Sequence, residues 1–342
     1  AIVTGVQTCA LPICLAAPVL ARLLGARTLG EKLVWGPLLG AGLLLLADTL
    51  AHWASTWGDG SLIPTGTTTA LIGGPIILLA LQGFRNTHHM PGQASNPPGF
   101  LPKRRATGVI AGVLLVMLAA TVVISMGWSP GLEGWNWTAV SNWDDAWVWR
   151  GPRMLAAILA GVALGLAGTL IQRMTGNPMG SPEMLGISGG AALVMVVVVL
   201  SGIEAGRTVQ ILAATLGAAG ALGLLILLAR KHRFAGNQLL LGGLALYVFM
   251  DAGLRLVMAA GGTQASKLLN WMYGSTWLIS ETEALSLMAV IFAISAVLAI
   301  IVRPLTILPL GDVSASSLGL PVARVRLALL LLAAVLTAAA TV

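Results

Sequence analysis

Residues 150–191, RGPRMLAAILAGVALGLAGTLIQRMTGNPMGSPEMLGISGGA, combine a long apolar run, a series of glycines and two polar ends. Almost every residue between Arg153 and Arg173 is apolar, and at about 1.5 Å per residue this run can cross a hydrocarbon core of about 30 Å. Its glycines recur at spacings of four and three, which places them on one helical face where another backbone can approach closely. They are Gly161, Gly165 and Gly168. The stretch therefore predicts a transmembrane helix with a packing face.

The segment after this helix is rich in proline and glycine. Pro178 and Pro182 prevent the helix from continuing, because proline lacks a backbone N–H and its ring clashes with the preceding turn. Gly189 and Gly190 then open the next apolar run. We therefore predict a tight turn at the membrane surface.

The composition of the whole chain is that of an integral membrane protein. Hydrophobic residues make up 57% of the chain, charged residues make up 9%, and the mean hydropathy is +0.91. A soluble domain needs far more polar surface. The net charge of +7 does not indicate nucleic-acid binding, because no concentrated basic patch with interleaved aromatics is present.

Apolar runs of suitable length are distributed along the chain. They predict an all-α, polytopic membrane protein with about nine transmembrane helices. The predicted spans are 34–52, 67–83, 107–127, 152–173, 184–202, 208–229, 238–257, 284–302 and 325–342.

The distribution of charge predicts how these spans are oriented. Most Lys and Arg residues, including those at 103–105 and 230–233, fall on one side of the predicted spans, and that side should be cytoplasmic. Tryptophans concentrate on the opposite side, with a cluster in 128–149, as expected for an aromatic belt at the interface. A ligand-stacking cage is the alternative for this cluster.

The order of residues in 150–191 resembles the FecCD family of ABC-importer permeases, which includes vitamin B12 and siderophore permeases. Family members carry R-x-P-R, a glycine-rich span ending in Gln, N-P-L-A-x-P and L-G-x-x-x-G-A. The matching positions are Arg150, Pro152, Arg153, Gln172, Asn177, Pro178, Pro182, Leu185, Gly186, Gly190 and Ala191, while Met179 and Gly180 replace the usual Leu and Ala. The resemblance implies a vitamin B12 permease-like (type II importer) fold, here incomplete.

The arrangement of the resembling segments is that of a double-length permease of the ferric hydroxamate type. Residues 14–83 resemble the C-terminal part of a first permease repeat, and 107–342 resemble the N-terminal and middle part of a second, truncated repeat. The polar, proline-rich segment 84–106 is predicted to be a cytoplasmic linker. Residues 1–13 resemble a translated sequencing adaptor, so we expect a non-native leader there rather than a signal peptide.

Arg150 and Arg153 stand at the predicted outer end of the glycine-rich span. In the family, arginines at this position form salt bridges with the substrate-binding protein, so the resemblance implies docking of a periplasmic or lipoprotein siderophore-binding protein. Interfacial anchoring of the two side chains is the alternative.

The loop between the last two predicted spans fits the family pattern L-G-D-x-x-A-x-x-L-G. The resemblance implies two short coupling helices that bind a cytoplasmic ATP-binding subunit, with Asp312 or Ser314 as a cap for the second helix. A capped turn without a partner is the alternative. The matching residues are Gly311, Asp312, Ser314, Ala315, Ser317, Leu318 and Gly319.

The resemblance also implies a translocation path lined by the glycine-rich helix and by spans 238–257 and 284–302. The path candidates are Gly161, Gly165, Gly168, Gln172, Asn177 and Pro178. Asp251 and Arg255 are four residues apart, so they can pair on one helical face, either as part of the path or as a structural ion pair. Asp48 matches a recurring aspartate of the family's ninth span, with no role assigned.

No pattern in the chain predicts catalysis, a cofactor or a metal site. The phosphate-binding pattern G-x-x-x-x-G-K-[ST] is absent, so ATP hydrolysis is expected in a partner subunit. His88 and His89 have no acidic or cysteine partner nearby in the linker, and Cys9 and Cys14 support no disulfide or redox inference.

We therefore expect a multi-pass permease subunit in the cytoplasmic membrane. Its cargo would be an iron(III)-siderophore, most simply a hydroxamate, and its surroundings would be membrane lipid. The alternatives are a permease for vitamin B12 or haem, an ion-gradient-driven secondary transporter in which Asp251 and Arg255 couple the ion, and an inert truncation product.

Overall fold

The computed structural model describes residues 11–26, 28–57, 68–76, 106–131, 134–138, 142–178, 180–202, 207–230, 236–259 and 279–341. Within these ranges the regular structure is helical, mostly α-helical, apart from one short hairpin. Eleven helices are numbered here in chain order. They are α1 Leu11–Leu23, α2 Leu29–Trp57, α3 Ala106–Gly127, α4 Trp143–Thr175, α5 Ile187–Leu200, α6 Arg207–Arg230, α7 Gly236–Ala259, α8 Glu281–Ile300, α9 Val302–Ile307, α10 Asp312–Ser317 and α11 Val322–Thr341.

The predicted spans agree with these helices. Every predicted span coincides with a described helix except 67–83, of which 68–76 is described and is helical. Four described helices are long and apolar enough to cross a membrane by length and composition. They begin at Leu29, Trp143, Glu281 and Val322. The prediction of an all-α polytopic protein is confirmed, and α1 is an additional apolar helix that the sequence did not predict as a span.

Helix α4 lies at the centre of the bundle. It packs against α1, α2, α8 and α11, and 83% of its apolar window is buried, compared with 28% for α8. Small residues on several sides of α4 allow this close packing, because alanine and glycine let neighbouring helices approach. The residues concerned include Ala157, Gly161, Ala163, Gly165, Ala167 and Gly168.

The start of α4 differs from the prediction. The helix begins at Trp143 rather than near 152 and continues through Pro152. Trp143 holds this extension in place by donating its indole N–H to the backbone oxygen of Thr138 at 3.3 Å. The polar segment before α4 forms an antiparallel hairpin, β1 Trp128–Gly131 and β2 Gly134–Trp137, with the rings of Trp128 and Trp137 edge to face at 6.4 Å.

The predicted turn after α4 is confirmed. The helix ends at Gly176, whose φ of 67° is a left-handed conformation that glycine adopts without a steric penalty. A single 3₁₀ turn, Glu183–Leu185, follows and leads into α5.

Helices on the two sides of the predicted linker pack together. Ile13, Leu44 and Leu45 of α1 and α2 belong to the same buried cluster as Leu170 of α4 and Leu330 of α11. Helices from both sides of the predicted linker therefore contribute to one large apolar cluster, while the division of the chain into parts of two repeats remains a prediction.

Candidate functional site

The residues predicted to be functional lie at the two ends of α4 and in the loop before α11. The end of α4 that begins at Trp143 is called the tryptophan-rich end, and the opposite end, at Asn177, is called the Asn177 end. Helices α9 and α10 and the turns beside them, 302–321, are called the short-helix loop.

At the tryptophan-rich end, Arg150 binds the last turn of α3. Its Nη1 donates to the backbone oxygen of Met126 at 2.6 Å and to that of Ser125 at 3.5 Å. Carbonyl groups in the last turn of a helix lack intrahelical partners and carry partial negative charge, so a guanidinium there is favourable. Arg150 thus ties α4 to α3.

Arg153 forms a buried ion pair with α2. Its Nε donates to Asp48 Oδ2 at 2.9 Å, and its Nη2 donates to the backbone oxygen of Asp48 at 3.2 Å. The side chains of Arg153 and Asp48 are 13% and 1% exposed. Asp48, for which the sequence assigned no role, is therefore the internal partner of a predicted docking arginine. That both arginines serve in docking stays a prediction.

The glycine face of α4 contacts the backbones of α1 and α2. A Cβ on Gly165 would stand 2.6 Å from the carbonyl oxygen of Gly36, and a Cβ on Gly161 would stand 2.7 Å from the Cα of Ala41. A Cβ on Gly168 would overlap the carbonyl oxygen of Cys14. The predicted packing role of these glycines is thus observed, and the face meets helices rather than an open channel.

The remaining path candidates lie at the Asn177 end. Gln172 is buried, and its Oε1 accepts a hydrogen bond from Arg22 Nη2 of α1 at 3.1 Å. The backbone N–H of Asn177 donates to Thr175 Oγ1 at 3.3 Å, and Pro178 follows in the turn, with both residues half-buried. These residues shape the turn after α4, and their part in a transport path remains a prediction.

The turn beyond Pro178 contains a buried carboxylate that sequence reasoning missed. Glu183 is 3% exposed, and its Oε2 accepts a hydrogen bond from the hydroxyl of Ser188. Burial raises the pKa of Glu183 to about 7, because the charged form loses its solvation, while the Ser188 hydrogen bond opposes that shift. In the sequence, the position of Glu183 between two predicted membrane spans could have indicated this buried carboxylate.

Asp251 and Arg255 form the predicted pair on α7. Arg255 Nε donates to Asp251 Oδ2 at 2.6 Å. The Arg255 side chain is 77% exposed, so the pair lies on the outer surface of the described bundle. The predicted i, i+4 contact is confirmed.

The short-helix loop has the two short helices that the resemblance implied, α9 and α10. The capping prediction is wrong. Helix α10 begins at Asp312 itself, its N-cap is Gly311 with φ of 96°, and no side chain caps it. The Asp312 carboxylate instead accepts two hydrogen bonds from Arg326 of α11, at 2.9 and 2.6 Å. This bidentate pair, with Arg326 6% exposed, fixes α10 against α11.

The outward side of the short-helix loop is apolar. Val313 is 84% exposed, Leu310 is 58% exposed and Leu318 is 57% exposed, whereas Ala315 on the opposite side of α10 is fully buried. The other predicted residues of the loop are exposed. They are Gly311, Asp312, Ser314, Ser317 and Gly319. An anchored helix that turns apolar side chains outward can bind another protein.

Reactive chemistry is not found in this arrangement. Within the described ranges, no three His, Cys, Asp or Glu side chains gather so that they could hold a metal ion. His88, His89 and Cys9 lie outside the described residues, and Cys14 is a buried free thiol.

Comparisons with known proteins agree with the resemblance seen in the sequence. The model of the FecCD transport family matches residues 108–342. The chain is 37% identical over 328 residues to the iron(3+)-hydroxamate import system permease protein FhuB of Salmonella typhimurium, covering 95% of this chain and 47% of that protein. It is 32% identical over 241 residues to the vitamin B12 import system permease protein BtuC of Vibrio cholerae, covering 69% and 71%.

A solved structure supports the fold. It is described as an inward-facing conformation of a metal-chelate type ABC transporter, and it matches with a TM-score of 0.57 at 24% identity, covering 68% of this chain and 73% of that chain. The chain spans about half the length of the FhuB proteins that it matches, at 47% and 49%.

Proposed function

The chain belongs to the FecCD transport family, and from that membership we propose that it forms part of the membrane-spanning permease of an ABC importer. It would lie in the cytoplasmic membrane as a multi-pass protein. Transport would be driven by a separate cytoplasmic ATP-binding subunit, because the chain carries no phosphate-binding loop of its own.

The observation that carries this proposal is the short-helix loop. Its apolar side chains, led by Val313 and Leu318, turn outward. Its base is held by the bidentate pair of Asp312 and Arg326. A rigidly held, outward-facing apolar patch is what a subunit interface needs, because little ordering entropy is lost when the partner binds. The ATP-binding subunit would bind here, and a pull on α10 would pass through Arg326 into α11.

The cargo would be an iron(III)-siderophore, most simply a hydroxamate. Support comes from the FhuB proteins of Salmonella typhimurium and Escherichia coli, which are named for iron(3+)-hydroxamate import and match over 95% of this chain. The Fe(3+) dicitrate permease FecC of Escherichia coli matches at 34% identity over 56% of this chain. Vitamin B12 and haem are the alternative cargoes.

Delivery of cargo would take place at the tryptophan-rich end. A periplasmic or lipoprotein siderophore-binding protein would dock there through Arg150, which is half-buried and binds backbone oxygens of α3 rather than a carboxylate of the described residues. Arg153 would contribute chiefly by holding α2 to α4, because its charge is already matched by Asp48. The orientation with this end outside rests on the excess of Lys and Arg at the other side.

The path would run beside α4 rather than along its glycine face, which is covered by α1 and α2 in this structure. Gln172, Asn177 and Pro178, at the end of α4, would border its cytoplasmic opening. Gly161, Gly165 and Gly168 would line it only in a state in which α1 and α2 have moved away.

The test of the proposal is association with an ATP-binding subunit of a siderophore importer. The chain and that subunit are co-expressed, and the chain is affinity-purified in detergent. The expected result is co-purification that Val313→Ser reduces at least about fivefold, since a buried apolar side chain at an interface contributes on the order of 1 kcal/mol or more. Val116→Ser is the matched control, because this valine is 69% exposed and lies on a different helix, α3.

If Val313→Ser leaves co-purification unchanged, or if Val116→Ser reduces it equally, the short-helix loop is not part of the interface. Uptake of an iron hydroxamate in cells that express the chain together with an ATP-binding subunit tests the cargo. Uptake that persists without any ATP-binding subunit would favour the ion-gradient alternative, for which the exposed pair of Asp251 and Arg255 is the candidate coupling group.

A further inference from the structure

Three cationic side chains meet at the Asn177 end of the bundle. Arg22 lies in the last turn of α1, Lys32 in the first turn of α2 and Arg173 in the last turn of α4. The positive charge of Arg173 acts on both Arg22 and Lys32, and the charge of Arg22 also acts on Lys32. All three side chains are half-buried, so the group, here called the basic cluster, is partly reachable from outside.

Among the described residues, one carboxylate acts on the basic cluster. Glu31 is the carboxylate that acts on Lys32. One of its oxygens accepts the backbone N–H of Thr28 at 2.9 Å, and Thr28 Oγ1 accepts the backbone N–H of Glu31 at 3.2 Å. This reciprocal pair caps the start of α2. The carboxylate is thus engaged in holding the helix, and three cations outnumber it.

Several donors in the basic cluster and on the adjacent Gln172 are buried without a partner among the described residues. They are Arg22 Nε, Arg173 Nε and the side-chain nitrogen of Gln172, which is 2% exposed. A buried N–H group left unpaired costs on the order of 1–3 kcal/mol, more when it is charged. Three unpaired donors at one place indicate an acceptor that belongs there, and the surrounding charge requires it to be an anion.

The position of the basic cluster narrows the choice of anion. Its three residues sit where apolar helices end, which is the depth of lipid headgroups in a membrane. Val34, two residues after Lys32, is 53% exposed on an apolar helix, as a lipid-facing side chain would be. Guanidinium groups match the geometry of phosphate oxygens and bind them with paired hydrogen bonds.

We propose that Arg22, Lys32 and Arg173 form a binding site for a phosphate-bearing anion, with the headgroup of an anionic lipid as its occupant. The headgroup phosphate accepts from the guanidinium groups, and the amide of Gln172 supplies a further donor. Occupancy offsets the repulsion among the three cations and joins the ends of α1, α2 and α4. The site does not depend on the identity of the transported cargo.

The experiment measures retained lipid. The full chain is purified in detergent, exposed to phosphatidylglycerol or phosphatidylcholine, and bound lipid is counted by native mass spectrometry. Arg22→Gln, Lys32→Gln and Arg173→Gln are each expected to weaken phosphatidylglycerol retention about fivefold per charge removed. Arg324→Gln is the matched control, because Arg324 is exposed, is also basic and lies outside the basic cluster. Phosphatidylcholine, which has no net charge, is expected to be retained weakly by every variant.

A second pair of variants shows whether a loss of lipid retention comes from the missing charge or from misfolding. Arg22→Lys and Arg173→Lys keep the charge, so they should retain most of the phosphatidylglycerol if the site is electrostatic, and monodisperse elution confirms that each variant is folded. Inorganic phosphate tests whether the site binds a free anion instead of a lipid. If it raises the melting temperature of the wild-type chain but not of Arg173→Gln, and no lipid is retained, the phosphate site stands with a soluble occupant. Equal retention by the cluster variants and the wild type, or an equal loss in Arg324→Gln, overturns the proposal.

Discussion

The tryptophan-rich end and the short-helix loop were both predicted to bind partner proteins, yet they are built differently. At the tryptophan-rich end the predicted residues Arg150 and Arg153 bind the backbone of α3 and the buried carboxylate of Asp48. In the short-helix loop, Arg326 binds the exposed carboxylate of Asp312, and apolar side chains such as Val313 face outward. The comparison separates residues that hold the scaffold from residues that are left free for a partner.

The difference teaches that arginine in a motif does not by itself mark a contact surface. Arg153 and Arg326 each hold a carboxylate and join two helices. A large apolar side chain that stays exposed beside such a pair is a better indication of an interface. Such a side chain does not contribute to the core of its own chain, so its exposed area is left for a partner.

The largest effect is expected from breaking the pair at the tryptophan-rich end. Asp48→Ala should lower stability by about 3–5 kcal/mol, because the guanidinium of Arg153 is then left buried without its carboxylate. Unfolding of the purified chain in detergent measures the loss. Asp145→Ala, which removes an exposed carboxylate from the first turn of α4, is the control and should have little effect.

The double variant Asp48→Asn with Arg153→Gln should recover part of that loss, since neither charge is then buried alone. If Asp48→Ala is no more damaging than Asp145→Ala, the tryptophan-rich end is not held by this pair, and the contrast with the short-helix loop disappears.

The second effect depends on pH and concerns the buried carboxylate of the turn after α4. The folded-state pKa of Glu183 is raised to about 7 from 4.5, so this group favours folding most fully below pH 4.5 and its contribution is lost as pH rises through 7. Glu183→Gln mimics the protonated form. It should match the wild type at pH 4 and exceed its stability at pH 8 by up to about 3 kcal/mol.

Melting temperatures at several pH values provide the measurement, with Glu281→Gln, at an exposed position, as the control. Parallel pH profiles for Glu183→Gln and the wild type would show that Glu183 is not the titrating group. A confirmed difference would add a second buried carboxylate to that of Asp48.

The third effect lies between the two compared regions, on the glycine face. Gly161→Ala places a Cβ against the backbone of Gly40 and Ala41. Forcing these helices apart should cost about 1–3 kcal/mol. Gly42→Ala on α2 is the matched control, because a Cβ there meets nothing within 4 Å. Equal unfolding midpoints for the two variants would contradict the close contact of α2 and α4.

The smallest effect on stability is expected in the short-helix loop. Asp312→Asn should cost about 1 kcal/mol, because the Asp312 side chain is 54% exposed and solvent already screens the pair. Binding of the ATP-binding subunit should fall more than stability does, since α10 is then less firmly held. A loss of stability as large as that of Asp48→Ala would show that both regions serve as scaffold.

Sequence reasoning found the helices but not the contacts between them. Long apolar runs determined the spans, because only a helix satisfies its own backbone within the membrane. Helix α4 begins earlier than predicted, and Trp143 at its start donates a hydrogen bond to Thr138. No pattern in the local sequence indicates this bond. The partners Arg22 and Gln172 lie 150 positions apart, and Arg153 and Asp48 lie 105 apart.

The error at α10 has a physical origin. An aspartate at the start of a helix is a good candidate for a cap, and local sequence offered Asp312 no other partner. The structure supplies one from α11, and the doubly bonded guanidinium of Arg326 is a stronger partner than a backbone N–H. The loop pattern was therefore located correctly, while the role of its carboxylate was not.

The reciprocal contact between α2 and α4 limits how the molecule can change shape. The carbonyl oxygen of Gly40 occupies the place where a side chain of residue 161 would start, and the carbonyl oxygen of Gly161 does the same for residue 40. Neither helix can slide along the other or rotate about its axis without driving one backbone into the other. Any opening or closing motion that keeps this contact must carry α2 and α4 as one rigid lever, with its hinges elsewhere.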